Sequence, residues 1–361
     1  MTEPIAGIDP HQRTFTLGIV DSVGVETHVE TFDNSGSGYA ALIDMLTAHR
    51  VQRVGIEGSG SWGVHVAVAL VAAGFDAREV PPSRTAIQRR ARRLDKTDAV
   101  DAVSTARAVQ AEPNLGPVQA LDAYDPLVAK IEAVLEHRQA LVAARTLLLH
   151  QVGDQITKLP PEIRDQLEPT GKIESRLRRL ATIDIPASTT PAGDYRIAWL
   201  LVFVDQDRAA RREVRGLERL IDQLLDQHGT SLREEAGIGP IAAATLLCEV
   251  GDPTRFATES KFARWSGTGA VALSSAEGDG EPRRHRVDFR GNRTVNSVLY
   301  IASITQARDR PDALAYLARK ASEGKTSKEA RRAHKRHLAN RVIRQMWKDE
   351  TARRQRLQPA A

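Results

Sequence analysis

Three strand-like runs follow one another at the N-terminus, joined by segments too short for anything but hairpins, and this constrains the 361-residue chain more than any other feature. Residues 5–9 (IAGID), 14–20 (TFTLGIV) and 25–32 (VETHVETF) are apolar, β-branched or alternating, and the pieces between them, DPHQR and DSVG, are turn-like. A parallel crossover takes about a dozen residues or more, so these three strands form an antiparallel meander. SGYAALIDMLTAH then shows helical spacing behind a Ser cap. RVGIE is a fourth strand, WGVHVAVALVAAG a helix ended by Gly74, and DAREV a fifth strand. One further helix runs through LDKTDAVDAVSTARAVQ, starting inside the basic stretch RRARRLDKTD. The expected order is β-β-β-α-β-α-β-α, an α/β domain over residues 1–115.

Residues 116–230 change texture. Apolar positions keep helical spacing over residues 123–150 and again over 197–228, on either side of the Pro-containing TKLPPEIRDQLEPTGK. A coiled-coil-like arm serving self-association and a helical linker packed on its neighbours both satisfy this pattern. Residues 231–320 open with SLREEAGIGPIAAATLLCEVGD, where Gly237 and Gly239 form a tight turn between helical segments. That resembles a helix-hairpin-helix, whose turn offers backbone N–H groups to a phosphate without reading bases. Residues 321–361 are read as a basic C-terminal helix and tail, so the remainder of the chain is mainly α.

Charge is divided unevenly. From Glu281 onward there are 21 Lys/Arg against 8 Asp/Glu, a net of +13, which leaves the first 280 residues at −8 within a total of +5. A surplus sustained over 81 residues and rich in Arg implies a polyanionic partner, nucleic acid above all. The single cysteine, Cys248, sits in the apolar run AAATLLCEV and is read as a small core residue, and no Cys/His cluster suggests zinc. MTEPIAGIDPHQR lacks an apolar signal core and no stretch approaches the ~20 apolar residues of a membrane span, so the expected location is cytoplasmic, at the nucleoid when bound to DNA.

The chemistry is carried by carboxylates. Asp9 ends the first strand and Glu57 the fourth, each after an apolar run and before polar or Gly-rich loop residues. If those strands are neighbours, two acids meet at one sheet edge. Asp98 and Asp101, in LDKTDAVDA, are spaced i and i+3 and share one helix face. Four converging carboxylates without evident basic partners repel one another unless divalent cations neutralise them, and oxygen ligands suit Mg²⁺ or Mn²⁺. Two ions about 3.5–4 Å apart would activate a nucleophile and stabilise a leaving oxygen in phosphoryl transfer.

GID, IEGSGSWG and above all LDKTDAVDA resemble the DEDD transposases of the IS110 group, which includes site-specific DNA invertases. The resemblance continues through AGIGPIAAATLLCEVGDPTRF, KFARWSGTGAVALSS and RGNRTVNSVLYIASITQARD, in the expected order, with only the helical middle lacking specific motifs. It implies a ribonuclease H-like (RuvC-like) N-terminal domain whose acidic tetrad falls on Asp9, Glu57, Asp98 and Asp101. It also implies a nucleophilic serine in the C-terminal domain, which falls on Ser275 with Ser274 as second choice; Ala276 stands where glycine commonly follows, and GTGAV where a proline is often seen. Further implications are a homo-oligomer (dimer or tetramer), DNA as donor and target, and in some members a structured guide RNA encoded by the element.

Candidate nucleic-acid contacts are Gly237 and Gly239 in the turn, Arg283, Arg284, Arg286, Arg290 and Arg293 around a Gly291-Asn292 turn, and Arg331, Arg332, Lys335, Arg336, Arg341 and Arg344 in the late helix. The reading is therefore a transposase or site-specific recombinase that cleaves and rejoins DNA. Two rivals from other classes fit parts of the pattern: a metal-dependent junction-resolving nuclease in which water attacks, and an inactive nucleic-acid-binding protein.

Overall fold

A computed structural model describes residues 3–113, 115–118, 124–167, 172–185, 190–272, 285–287 and 291–357, and for 270–272, 285–287 and 357 the backbone alone. It falls into two compact units, one of residues 1–129 with 246–361 and one of residues 130–245.

The first unit carries a five-stranded sheet, β1 (Ile5–Pro10), β2 (Thr14–Val20), β3 (Glu26–Asp33), β4 (Arg53–Glu57) and β5 (Asp76–Val80), in the order β3-β2-β1-β4-β5. The meander is antiparallel, and β4 and β5 add in parallel to β1. This mixed sheet is the ribonuclease H-like arrangement that the family resemblance implies. Ile8, Leu17, Ile19 and Ile56 are fully buried, and each stabilises the domain by roughly 1.5–3 kcal/mol relative to exposure. Helix α1 (Gly36–Ala48) is capped by Ser35, whose side chain accepts from Gly38 N, and α2 (Val64–Ala72) is followed by Gly74 in the left-handed region at φ +85°.

The stretch after β5 differs from expectation. Two helices stand there, α3 (Pro82–Ala91) and α4 (Asp98–Ala111), separated by residues 92–97 with Arg93 at φ +54°. Thr97 starts α4, its side chain accepting from Val100 N. Helix α3 buries only Thr85 and so has no apolar stripe to betray it. Three glycines, one on each of three adjacent strands, let α4 lie directly on the sheet. A Cβ on Gly7 would stand 2.2 Å from Ala106 N, one on Gly18 2.7 Å from Val103 N, and one on Gly55 2.4 Å from Val109 Cγ2. Contacts that close are sterically forbidden, so these positions fix where the N-terminus of α4 ends up.

The second unit contains most of α5 (Pro126–Thr157), then α6 (Pro161–Arg164), α7 (Ile173–Leu180) and α8 (Pro191–His228). Ion pairs Arg138–Glu218 at 2.6 Å and Arg145–Asp207 at 2.6 Å show α5 and α8 running antiparallel as a hairpin. Leu149, Val152, Ile156, Leu200, Phe203 and Val204 pack between them. After α8 the segment expected to be helical is a single 3-10 turn, Leu232–Glu234, and then Gly237 at φ +83° leads into α9 (Pro240–Val250). The glycine turn therefore stands between that 3-10 turn and α9.

The C-terminal part of the first unit continues with α10 (Glu259–Trp265), a two-stranded ribbon of Ala270–Ala272 and His285–Val287, α11 (Arg293–Asp309), α12 (Pro311–Ser322) and α13 (Ser327–Leu357). Cys248 is buried with its Sγ 3.9 Å from Val128 O, in the core as expected. Among the described residues no helix is long and apolar enough to cross a membrane.

Candidate active site

Parallel pairing brings the first two acids together. Ile8 pairs with Ile56, so Asp9 and Glu57 are the next residues on neighbouring strands. Both stand at the same end of the sheet, Asp9 one residue before the end of β1 and Glu57 last in β4, and Gly58 at φ +72° turns the chain away immediately after Glu57. Helix α4 supplies the other pair from its first turn, Asp98 exposed and Asp101 buried. The positive end of a helix favours carboxylates in that position.

Asp9 stands within electrostatic reach of the other three acids. The Asp9 carboxyl is raised from 3.8 to about 6, first by burial, with His11 opposing the rise and the charges of Asp101, Glu57 and Asp98 adding to it. Two basic partners, absent from the sequence reading, moderate this repulsion. His11 Nε2 lies 3.3 Å from Asp9 Oδ2 and 3.2 Å from Asp98 Oδ1. Arg89, on the unexpected helix α3, is hydrogen-bonded to Asp101. Helices α3 and α4 are tied further by Thr85 Oγ1 and Thr105 Oγ1, 3.1 Å apart and buried. One ligand atom from each of Asp9, His11 and Asp98 falls within 4.8 Å of the others, a grouping able to hold a metal ion. The donor set fits a divalent cation, since hard carboxylate oxygens dominate it.

The loop after Glu57 has its own support. Ser59 is buried and hydrogen-bonded to Glu79, whose carboxyl is raised by burial while the Ser59 bond and the Arg255 charge hold it down. Arg255 lies 4.7 and 4.9 Å from the rings of Phe256 and Trp265 and donates to Pro117 O, and burial lowers it to about 10. None of His11, Arg89, Ser59, Glu79 or Arg255 emerged from sequence reasoning. Only His11, two residues past a strand-end acid, left a signal there to find.

The remaining expected residues are dispersed. Ser274, Ser275, Arg283, Arg284 and Arg290 lie outside the described residues, and Arg286 is described by backbone alone. Gly239 has open space where a Cβ would be. Arg293 and Arg331 are exposed. Lys335, by contrast, is buried, its Nζ donating to Asn296 Oδ1 at 2.8 Å, so it joins α13 to α11 instead of facing a ligand. Arg336 donates to Glu259 O at 3.1 Å, Arg341 to Gln306 Oε1 at 3.0 Å, and Arg344 pairs with Glu259 at 2.9 Å. Gly291 likewise serves packing: a Cβ there would stand 2.2 Å from Gly267 N, so its bareness admits this chain's own backbone. Charge runs on a helix conceal such internal roles.

Two family models match in tandem. One, of the DEDD transposase type and described as "Transposase", covers residues 6–161, which include all four acids. The other, described as "Transposase IS116/IS110/IS902 family", covers residues 230–318. The chain belongs to the IS110 family. Among curated proteins it is similar to "Insertion element IS110 uncharacterized 43.6 kDa protein" of Streptomyces coelicolor, with 24% identity over 277 residues, 65% of this chain and 66% of that protein. Among solved structures it is similar to "T. thermophilus RuvC in complex with Holliday junction substrate", with 19% identity, 30% of this chain and 92% of that chain covered, and a TM-score of 0.25. The topology described above stands without that match.

Proposed function

We propose that this protein cleaves and rejoins DNA strands of a mobile element, with Asp9, Glu57, Asp98 and Asp101 holding two Mg²⁺ or Mn²⁺ ions and Ser275, or its neighbour Ser274, as nucleophile. The observation that carries this is the gathering of strand-end and helix-start acids around Asp9, whose carboxyl is raised to about 6 by burial and by its neighbours. Cations bound there would polarise a scissile phosphate and make a hydroxyl a competent nucleophile.

The residues divide the remaining work. The serine Oγ forms a bond to phosphorus while the bond from phosphorus to a deoxyribose oxygen breaks, and that oxygen leaves as a hydroxyl after taking up the proton that the serine gives away. A second strand end reverses the exchange, so one phosphodiester is traded for another without an energy source. Arg89 holds Asp101 in place, and Glu79 with Ser59 holds the loop behind Glu57. Exposed Arg293 and Arg331 bind phosphates, and the open Gly239 turn offers backbone N–H groups. The α5/α8 hairpin serves self-association into a dimer or tetramer, and a structured RNA from the element supplies target choice. Both belong to the same proposal, with the nucleoid as its setting.

The test is recombination in vitro with element-end and target DNA. A covalent adduct should be trapped on a suicide substrate, stable to denaturing electrophoresis and dependent on divalent metal. It should vanish in Asp98→Ala and in the Ser274→Ala/Ser275→Ala double variant. Full activity of both variants refutes the reading; cleavage without any adduct replaces serine attack with attack by water.

A further inference from the structure

Beside the four acids stands a side chain that the carboxylate reading leaves unused. His11 Nε2 is buried, makes no aligned hydrogen bond among the described residues, and lies 3.3 Å from Asp9 Oδ2 and 3.2 Å from Asp98 Oδ1. A six-coordinate ion with bonds of roughly 2.1 Å places adjacent ligands roughly 3 Å apart. The nitrogen and the two oxygens therefore already stand close to the spacing of neighbouring corners of one coordination shell.

The backbone that carries the imidazole is held in place. His11 N donates to Thr14 O at 2.8 Å, and His11 O accepts from Asn34 Nδ2 at 2.9 Å. The same Nδ2 reaches Trp62 O at 3.1 Å, while Asn34 Oδ1 accepts from Tyr39 Oη at 2.6 Å. The Trp62 ring lies 6.2 Å from the imidazole, on the loop that follows Glu57. Three separate segments thus position one residue.

We propose that His11 is a nitrogen ligand to the cation shared by Asp9 and Asp98, and that it shifts the site's preference from Mg²⁺ toward Mn²⁺. This rests on the carboxylate site proposed above. Imidazole bonds first-row transition ions more strongly than Mg²⁺, which prefers oxygen and retains its water.

The experiment is pulsed EPR of Mn²⁺ on the full chain, with Mg²⁺ competition to give relative affinities. Wild type should show ¹⁴N hyperfine coupling, converted to ¹⁵N coupling when the protein is labelled with ¹⁵N-histidine. His11→Gln should still bind Mn²⁺ but lose the coupling, with its Mn²⁺ over Mg²⁺ affinity ratio falling about tenfold. Bound Mn²⁺ without histidine coupling in wild type overturns the proposal, as does coupling that survives in His11→Gln. The labelling result needs no variant to fold. Mn²⁺ binding unchanged in Asp9→Asn/Asp98→Asn overturns the carboxylate site itself, a separate outcome.

Discussion

Replacing Asp9 with asparagine should stabilise the metal-free protein while abolishing its response to metal. The Asp9 carboxyl is raised from 3.8 to about 6 in the folded chain, and its side chain is only 15% exposed. A raised carboxyl contributes stability below 3.8 that is lost as pH rises through about 6. At pH 7.5, therefore, ionised Asp9 opposes folding by about 3 kcal/mol, at about 1.4 kcal/mol for each pH unit of the shift. Asp9→Asn removes that opposition. A domain of this size moves about 2–4 °C per kcal/mol, so the first unfolding transition in EDTA at pH 7.5 should rise by several degrees. At pH 4 the variant and wild type should melt nearly together. Addition of Mg²⁺ or Mn²⁺ should raise the wild-type transition and leave the variant unmoved. Differential scanning calorimetry at two pH values, with and without metal, makes all four comparisons. A variant that melts lower than wild type in EDTA at pH 7.5, or that gains as much from metal, contradicts the reasoning.

Other outcomes follow from the same geometry. Arg89→Ala leaves buried Asp101 without its guanidinium and should cost about 3 kcal/mol in urea unfolding, much of it recovered in Arg89→Ala/Asp101→Ala. Gly7→Ala drives a methyl into Ala106 N and should lower stability by about 3 kcal/mol or more and remove metal-dependent stabilisation, although it touches no acid. Wild-type stabilisation by Mg²⁺ should shrink as pH falls below about 6, because a proton then competes for Asp9; thermal shift across pH 5–8 checks it. In DNA binding followed against salt, Arg331→Ala should reduce the slope of log K by about 1, whereas Lys335→Ala should lower stability by about 1–2 kcal/mol and leave the slope unchanged.

Much of the catalytic unit was legible because the sheet writes itself in alternation and in β-branched runs. DAREV and RVGIE coincide with β5 and β4, Glu57 ends β4 as expected, and Asp9 stands one residue before the end of β1. Helix α3 was invisible because a helix that buries one threonine has no periodicity to read. Its absence hid Arg89, and with it the partner of Asp101. Lys335 was misjudged for the opposite reason: within RRAHKR every cation looks alike, and only the packing of α13 on α11 distinguishes the buried one. Glu79 and Arg255 lie far apart in sequence, so no local pattern could have joined them to the loop behind Glu57.

Crystals soaked in Mn²⁺ and measured at the manganese edge put the matter directly. The account predicts anomalous peaks within bonding distance of Asp9 and Asp98 carboxylate oxygens, on the side of the site that Glu57 and Asp101 border. Saturating Mn²⁺ with no density among these four side chains, or density only elsewhere on the protein, contradicts it.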